Sequence, residues 1–168
     1  MAKAGRKCFR RGYGPSVAGR TGRPVVRTRA FWDASALVPL CVRQAITPRV
    51  LAFYKIYEPA VWWATPVEVA SALARLLRTK QIDSTNWTKA RKTAVGLADS
   101  WFVIQPSDVL RAKSIQLVER YDLRAADSFQ LAAALEWCED VPQGRVFLTT
   151  DQKLRDAALL NGFDARRI

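Results

Sequence analysis

The sequence predicts a three-layer α/β sandwich, in which a mostly parallel central sheet is flanked by helices. Short runs of β-branched and aromatic residues, typical of strands, alternate along the chain with longer segments of helical periodicity. The chain has 168 residues, 49% of them hydrophobic, which suits one domain with a sizeable core.

The first predicted strand covers residues 25–32, where the sequence VVRTRAFW is rich in β-branched and aromatic side chains. A short helix is expected directly after it, at residues 34–40, and Pro39 is expected to disturb that helix. Asp33 stands between the two elements as the single charge in the apolar run FWDASALVPL. Because an ionised carboxylate beside a core needs a partner, Asp33 is the first candidate functional residue.

The next three predicted elements are a helix over residues 46–59, a buried strand over 60–64 and a clear helix over 65–80. In the first helix, Tyr57 shares a face with two other apolar side chains at helical spacing. In the second helix, Thr65 is expected to cap the N-terminus and an apolar stripe follows.

The second half of the chain continues the alternation. Ser107 is expected to cap a helix, an Ala-rich helix is expected to be buried on most sides, and Asn161-Gly162 is a stop signal. The predicted helices cover residues 84–101, 106–121, 123–138 and 151–160, and the predicted strands cover 101–104, 145–150 and an edge strand within 162–168.

The net charge of +12 is concentrated at the N-terminus. Residues 1–30 hold nine of the 27 Lys and Arg residues and no acidic residue, so the rest of the chain carries only +3. We expect residues 1–26 to form a disordered basic extension and residues 27–168 to form the folded domain. Such an extension could bind nucleic acid through its phosphates, be merely solvated, or reflect a start codon assigned too early.

The composition excludes several kinds of chemistry. The chain contains no histidine, which removes Ser-His-Asp and Cys-His catalysis, His-ligated zinc and His-based RNA cleavage. Its three cysteines form no CxxC pair, and no export signal or membrane-spanning apolar stretch is present, so we expect free thiols, no membrane association and a cytoplasmic location. No GxxxxGK[ST] phosphate loop occurs.

Four acidic residues stand where one site would need them. Asp33, Glu68 and Asp151 each follow a predicted strand, and Asp127 lies inside the Ala-rich helix with few polar neighbours. The carboxyl ends of parallel strands meet at one edge of a sheet, where ligands bind. Carboxylates gathered there repel one another unless a cation neutralises them, and oxygen ligands without His or Cys suit Mg²⁺ or Mn²⁺.

Each acid also has a plainer explanation. Asp33 and Asp151 are good N-caps, and Glu68 could close a capping box with Thr65. Taken singly, Glu68 and Asp151 favour the capping explanation, whereas Asp33 and Asp127 do not, because their neighbours are largely apolar.

Four segments, in this order, resemble the motifs of PIN-domain ribonucleases of the toxin type, the VapC family. They are FWDASALVPL, TPVEVASAL, LRAADSFQLAAAL and FLTTDQKLRDAA, and the resemblance covers residues 27–168. The segment before Arg27 has no counterpart in the family pattern, and Gln130 stands in a region where the family often has His, a difference that we expect not to affect the metal. The resemblance implies an acidic catalytic and metal-binding set with two supporting polar residues: Asp33, Glu68, Asp127 and Asp151, supported by Ser35 and Thr149.

The resemblance further implies a Mg²⁺- or Mn²⁺-dependent endoribonuclease, acting as the toxin of a type II toxin–antitoxin module. The carboxylates would hold one or two metal ions directly or through water, with Glu68 as a water-mediated ligand or as the group that positions the nucleophile. The implied partners are an RNA substrate, a small cognate antitoxin and a second copy of the chain. The implied products carry a 5′-phosphate and a 3′-hydroxyl.

Further side chains carry weaker expectations. Trp62 and Trp63 could stack on bases but are expected in the core. Basic candidates for the RNA backbone, besides the N-terminal extension, are Arg43, Lys89, Arg91 and Lys92. Two further acids, Asp122 and Asp156, are held in reserve as site residues. The apolar residues expected to be exposed at a dimer contact are Tyr54, Tyr57 and Leu76.

Three other interpretations fit the sequence. The first is a PIN nuclease that processes RNA or cuts DNA outside a toxin system, which the lack of a neighbouring antitoxin gene would favour. The second is a non-catalytic RNA-binding protein whose acids are helix caps; it predicts RNA affinity that survives Asp127→Asn and is lost when residues 1–26 are removed. The third, a nucleotide-binding α/β domain, lacks a phosphate loop.

Overall fold

The computed structural model describes residues 28–168, which form a parallel five-stranded sheet with helices on both faces. The strands are β1 (Thr28–Trp32), β2 (Tyr57–Trp62), β3 (Phe102–Ile104), β4 (Val146–Thr149) and β5 (Asp164–Arg167). The helices are α1 (Ala34–Cys41), α2 (Thr47–Ile56), α3 (Thr65–Arg78), α4 (Ser84–Ala98), α5 (Asp108–Arg120), α6 (Ala125–Trp137) and α7 (Gln152–Leu160). The predicted fold class, a PIN-like three-layer sandwich, is confirmed. The extension predicted at residues 1–26 lies outside the described residues, and the domain boundary stays a prediction.

The strand order, β3-β2-β1-β4-β5, places a topological switch point between β1 and β4. The chain builds outward from β1 to β3 and then returns to the other side of β1, where it adds β4 and β5. Phe31 pairs with Phe147 and Trp32 with Leu148 across this junction. Connections leave β1 and β4 in different directions here, which opens a crevice beyond their carboxyl ends.

The core consists of two apolar layers, one on each face of the sheet. Trp32 packs with side chains of α1 to α4 on one face, whereas Phe31 packs with side chains of α5 to α7 on the other. Phe31 stacks on Phe147 with ring centroids 5.2 Å apart, and Trp32 meets Tyr54 edge-on at 5.9 Å. The end of β1 is therefore buried on both faces, as its continuous apolar sequence indicates.

Strand β2 begins at Tyr57, three residues before the predicted start. The expectation that Tyr57 belongs to the helical face of the preceding segment was wrong, because Tyr57 pairs with Thr28 at the start of β1. Pro59 is tolerated in this strand because the pairing of β2 with β3 starts only at Ala60. The neighbouring strand thus decides where the helix ends.

Helix α1 continues past Pro39 to Cys41, so the expected disturbance does not end it early. The missing proline N–H removes only one helical hydrogen bond, and the helix ends two residues later with the Val42 N–H donating to the Val38 carbonyl. Ser107 caps α5 as predicted, by accepting a bond from the Leu110 N–H at 3.0 Å.

Two expectations about aromatic and apolar exposure were wrong. Trp62 and Trp63 were both expected in the core, but only Trp62 is buried there. Trp63 is 53% exposed, because β2 ends at Trp62. Tyr54, Tyr57 and Leu76 were expected to be exposed at a dimer contact, yet all three pack against the core layer of α1 to α4. The homodimer stays a prediction without their support.

None of the helices in the described region is long and apolar enough to cross a lipid bilayer. Cys41 and Cys138 are free thiols, as predicted, and Cys8 lies outside the described residues.

Candidate active site

Asp33 lies at the crevice between β1 and β4, where the turn from β1 into α1 places it. Its backbone N–H donates to the Leu148 carbonyl at 3.0 Å, and only 6% of the residue is exposed. Its Oδ2 atom accepts hydrogen bonds from the Ser35 N–H at 3.2 Å, from the Ser35 hydroxyl, and from the Thr149 hydroxyl at 2.9 Å. No donor to Oδ1 occurs among residues 28–168, so the protein holds one carboxylate oxygen and leaves the other for a ligand.

Ser35 and Thr149 connect Asp33 with Asp151. The Thr150 N–H donates to the Ser35 hydroxyl at 3.0 Å, and the Asp151 N–H donates to the Thr149 hydroxyl at 3.0 Å. The two hydroxyl oxygens lie 3.4 Å apart, and Thr149 is fully buried. A single short network therefore sets the relative positions of the turns that follow β1 and β4.

Asp151 is the N-cap of α7, and its Oδ1 atom accepts a bond from the Leu154 N–H at 2.9 Å. Asp33 has the equivalent place at the start of α1. The capping explanation is thus correct for both residues. It does not conflict with ligand binding, because each cap bond occupies only one of the two carboxylate oxygens.

Glu68 does not form the predicted capping box with Thr65. Ala64 occupies the N-cap position of α3, and Thr65 lies fully buried in the first turn. Glu68 instead accepts a hydrogen bond from the side-chain amide of Gln130, whose nitrogen also lies 3.4 Å from the Thr65 hydroxyl. Gln130 is 1% exposed, so a buried residue of α6 fixes the position of this carboxylate on α3.

Asp127 lies partly buried in the first turn of α6. Burial raises its pKa, and the charge of Asp151 adds to the increase. A backbone hydrogen bond from Arg124, at the N-cap, and the charge of that arginine act in the opposite direction. Asp127 therefore lies at the start of its helix, close to the opposite charges of Asp151 and Arg124.

Neighbouring carboxylates help to raise the pKa values of Asp33, Glu68 and Asp127. Burial raises the pKa of Asp33, the bonds from Ser35 and Thr149 oppose this, and the charge of Asp127 adds to the increase. The pKa of Glu68 is raised to about 7. Burial is the largest cause, the charges of Asp33 and Asp127 add to it, and the hydrogen bond from Gln130 acts in the opposite direction. Such a group of carboxylates favours the uptake of protons or the binding of a cation.

All four acids line one open cleft of about 710 Å³, together with Ser35. Three basic residues that sequence reasoning missed line the same cleft: Arg75, Arg78 and Arg124. The spacing along the sequence could have indicated two of them. Arg75 and Arg78 follow Glu68 by seven and ten residues on one helix, which places them near the helix face that carries Glu68. Nothing in the sequence indicated that Gln130 contacts Glu68.

The basic residues predicted for the RNA backbone lie elsewhere. Arg43 and Lys89 line a second cleft of about 820 Å³, which also contains Lys80. Arg91 lies over the Trp87 ring, with 5.7 Å from its guanidinium carbon to the ring centroid. None of these residues lines the acidic cleft, and neither does Lys92.

The reserve acids are also outside the acidic cleft. Asp122 is exposed and pairs with Lys153, and Asp156 lies 3.5 Å from Arg155.

The donor set suits a hard cation held partly through water. It consists of carboxylate and hydroxyl oxygens, the ligand type that Mg²⁺ and Mn²⁺ prefer. In the part of the chain that the structure describes, no three Asp, Glu, His or Cys side chains converge closely enough to enclose a metal ion directly. Mg²⁺ usually retains several waters and binds through one or two carboxylates, so the absence of a closed cluster among the described residues does not conflict with that ion.

No family model and no curated protein matches the sequence. Among solved structures, a toxin–antitoxin complex from Klebsiella pneumoniae is 17% identical; the match covers 74% of this chain and 88% of that chain, with a TM-score of 0.53. PAE2754 from Pyrobaculum aerophilum is 20% identical over 77% of this chain and 84% of its own, with a TM-score of 0.55. FitAcB from Neisseria gonorrhoeae is 15% identical over 81% and 95%, with a TM-score of 0.56. At these identities the likeness establishes a shared fold.

Proposed function

We propose that the protein is a metal-dependent endoribonuclease that acts as the toxin of a toxin–antitoxin module. The observation that carries the proposal is the meeting of four carboxylates from separate parts of the chain in one cleft, at the switch point of a parallel sheet. The chain contains no histidine, which excludes His-based RNA cleavage, and a carboxylate and metal mechanism fits the acids in the cleft. The structural likeness to a toxin–antitoxin complex supports the toxin role.

Asp33, Asp127 and Asp151 are the residues that we propose to hold the metal, one or two of them directly and the others through water, with Glu68 acting through water or on the nucleophile. When bound, Mg²⁺ or Mn²⁺ supplies an activated water and stabilises the charge that develops on the phosphodiester. Ser35 and Thr149 keep the Oδ2 atom of Asp33 occupied, so that Oδ1 remains for this role.

Glu68 is the proposed proton acceptor from the attacking water. In the metal-free protein its pKa is raised to about 7, chiefly by burial, which makes this carboxylate a stronger base than an ordinary glutamate. Gln130 donates to its Oε2 atom and thereby orients the carboxylate. We propose products with a 5′-phosphate and a 3′-hydroxyl.

Cleavage of a total-RNA pool by the purified protein tests the nuclease. We expect cleavage with Mg²⁺ or Mn²⁺, none with EDTA, and a loss of at least about 100-fold in Asp127→Asn, the usual scale for a group that acts in the transition state. Asp108→Asn is a matched control, because Asp108 also lies in the first turn of a helix but is exposed and outside the cleft. Cleavage that persists in EDTA or in Asp127→Asn would contradict the proposal. Tight RNA binding by both forms without cleavage would favour a non-catalytic RNA-binding protein.

Induced expression in a bacterial host tests the toxin role separately. We expect growth arrest with the wild-type chain but not with Asp127→Asn, and relief of the arrest by the small protein encoded beside it. An active nuclease that causes no arrest would instead favour a role in RNA processing. The cytoplasmic location and the homodimer belong to the same proposal, and size-exclusion chromatography with light scattering tests the latter.

A further inference from the structure

Three arginines in the acidic cleft have no ion-pair partner among residues 28–168. Arg75, Arg78 and Arg124 line the cleft, and within residues 28–168 no carboxylate lies within 4.0 Å of any of their charged nitrogens. Arg124 influences Asp127 through its charge without forming an ion pair with it. These cations are therefore available to an anion that enters the cleft from solution.

The arginines lie on opposite walls of the cleft. Arg75 and Arg78 are in the last turn of α3, which packs on one face of the sheet, whereas Arg124 precedes α6, which packs on the other. Arg75 follows Glu68 by two helical turns, which corresponds to about 10 Å along the axis. The two groups of arginines thus flank the acids from both sides.

Stabilisation of the helices does not explain all three residues. Cations in the last turn of a helix interact favourably with its dipole, which explains Arg75 and Arg78 without any ligand. Arg124 lies at the N-cap of α6, where the dipole disfavours a positive charge, and its side chain makes no capping bond. Arg124 interacts favourably with the charge of Asp127, and its exposed guanidinium can also reach an anion in the cleft.

We propose that Arg75, Arg78 and Arg124 bind the backbone phosphates of single-stranded RNA on the two sides of the scissile phosphodiester. This inference rests on the proposed function and adds the groups that hold its substrate. The planar guanidinium donates two parallel hydrogen bonds to a phosphate, and the positive charge offsets the repulsion between phosphates and the acids. Because Asp33 lies buried at the cleft floor, the backbone must enter the cleft, which an unpaired strand does more readily than a duplex.

The salt dependence of RNA binding tests this inference. The probe is a fluorescein-labelled single-stranded RNA of about 12 nucleotides, and anisotropy is measured in EDTA at a series of KCl concentrations. Each phosphate contact on a single strand contributes about 0.7 to the slope of log K against log salt. We expect the magnitude of this negative slope to fall by about 2 when all three arginines are replaced by glutamine, and by about 0.7 for each single variant.

Arg120→Gln is the matched control, because Arg120 is an exposed arginine in the last turn of another helix, outside the acidic cleft. We expect its slope to equal that of the wild type. Thermal melting shows whether each variant is folded, and the single variants decide the question if the triple variant is not. An unchanged slope in the folded triple variant, or in all three single variants, would overturn the inference, and so would a wild type that binds no RNA.

The test separates this inference from the proposed function, because binding in EDTA does not require cleavage. A reduced slope in the variants, without cleavage by the wild type in Mg²⁺, would support the phosphate-binding arginines and contradict the nuclease. Metal-dependent cleavage with unchanged slopes would contradict the arginines and support the nuclease.

Discussion

Glu68 makes the stability of the metal-free protein depend on pH in a predictable direction. Its pKa is raised to about 7 in the folded protein, chiefly by burial, from 4.5 for an ordinary glutamate. Between these two pH values the folded protein binds a proton that the unfolded chain does not. The free energy of unfolding therefore contains a contribution that is fully present below about pH 4.5 and is lost as the pH rises to about 7.

The size of this effect follows from the shift in pKa. One pKa unit corresponds to about 1.4 kcal/mol, which would give about 3 kcal/mol for a fully buried group. Glu68 borders an open cleft, and solvent screens its charge, so we expect about 1–2 kcal/mol. Asp33 and Asp127, whose pKa values are also raised, change stability in the same direction.

Urea unfolding at pH 5 and pH 7.5 in EDTA measures the effect, with the wild type compared to Glu68→Gln. Glutamine carries no charge and can still accept the Gln130 bond. We expect the wild type to lose about 1–2 kcal/mol more than the variant between the two pH values. Glu119→Gln, an exposed change outside the cleft, controls for the loss of one carboxylate. If wild type and Glu68→Gln show the same pH dependence, the reasoning about this cleft is wrong.

Two further changes give simpler outcomes. Thr149→Val removes the 2.9 Å bond to the Asp33 carboxylate, so we expect urea unfolding to show a loss of about 1.5–3 kcal/mol and the RNA assay to show weaker cleavage; stability equal to the wild type would contradict this role. Gly162 has a φ of +99° at the end of α7, so Gly162→Ala should destabilise by about 1 kcal/mol. Gly96→Ala is its matched control: Gly96 lies inside α4, an added Cβ there meets no atom within 4 Å, and we expect a gain of up to about 1 kcal/mol. Equal effects of the two alanine substitutions would refute this account.

Local sequence signals predicted the architecture well, because each element has its own periodicity or its own stop signal. The alternation of strands and helices indicated a mostly parallel sheet with helical layers, which the structure has, and Asn161-Gly162 ends α7 as expected. The start of β2 at Tyr57 was not predictable in this way. That boundary depends on pairing with Thr28, which is distant in sequence.

The acids could be selected from the sequence because three of them follow strands, and strand ends have a defined place in a parallel sheet. Their partners could not be found by the same reasoning. Gln130 lies 62 residues from Glu68 along the chain, and Thr149 lies 116 residues from Asp33. Only the packing of α6 against β2, and of β4 against β1, brings these donors to their carboxylates.

The sequence by itself determined the fold class, the absence of histidine chemistry and the candidate acids, since these depend on composition and on periodicity within single segments. The tertiary structure decided which groups surround the acids: the hydroxyls on Asp33, the amide on Glu68 and the three arginines that line the cleft. The physical reason is that hydrogen bonds and charge interactions act over a few ångströms in space. Residues that are far apart in the sequence come within this range only when the chain is folded.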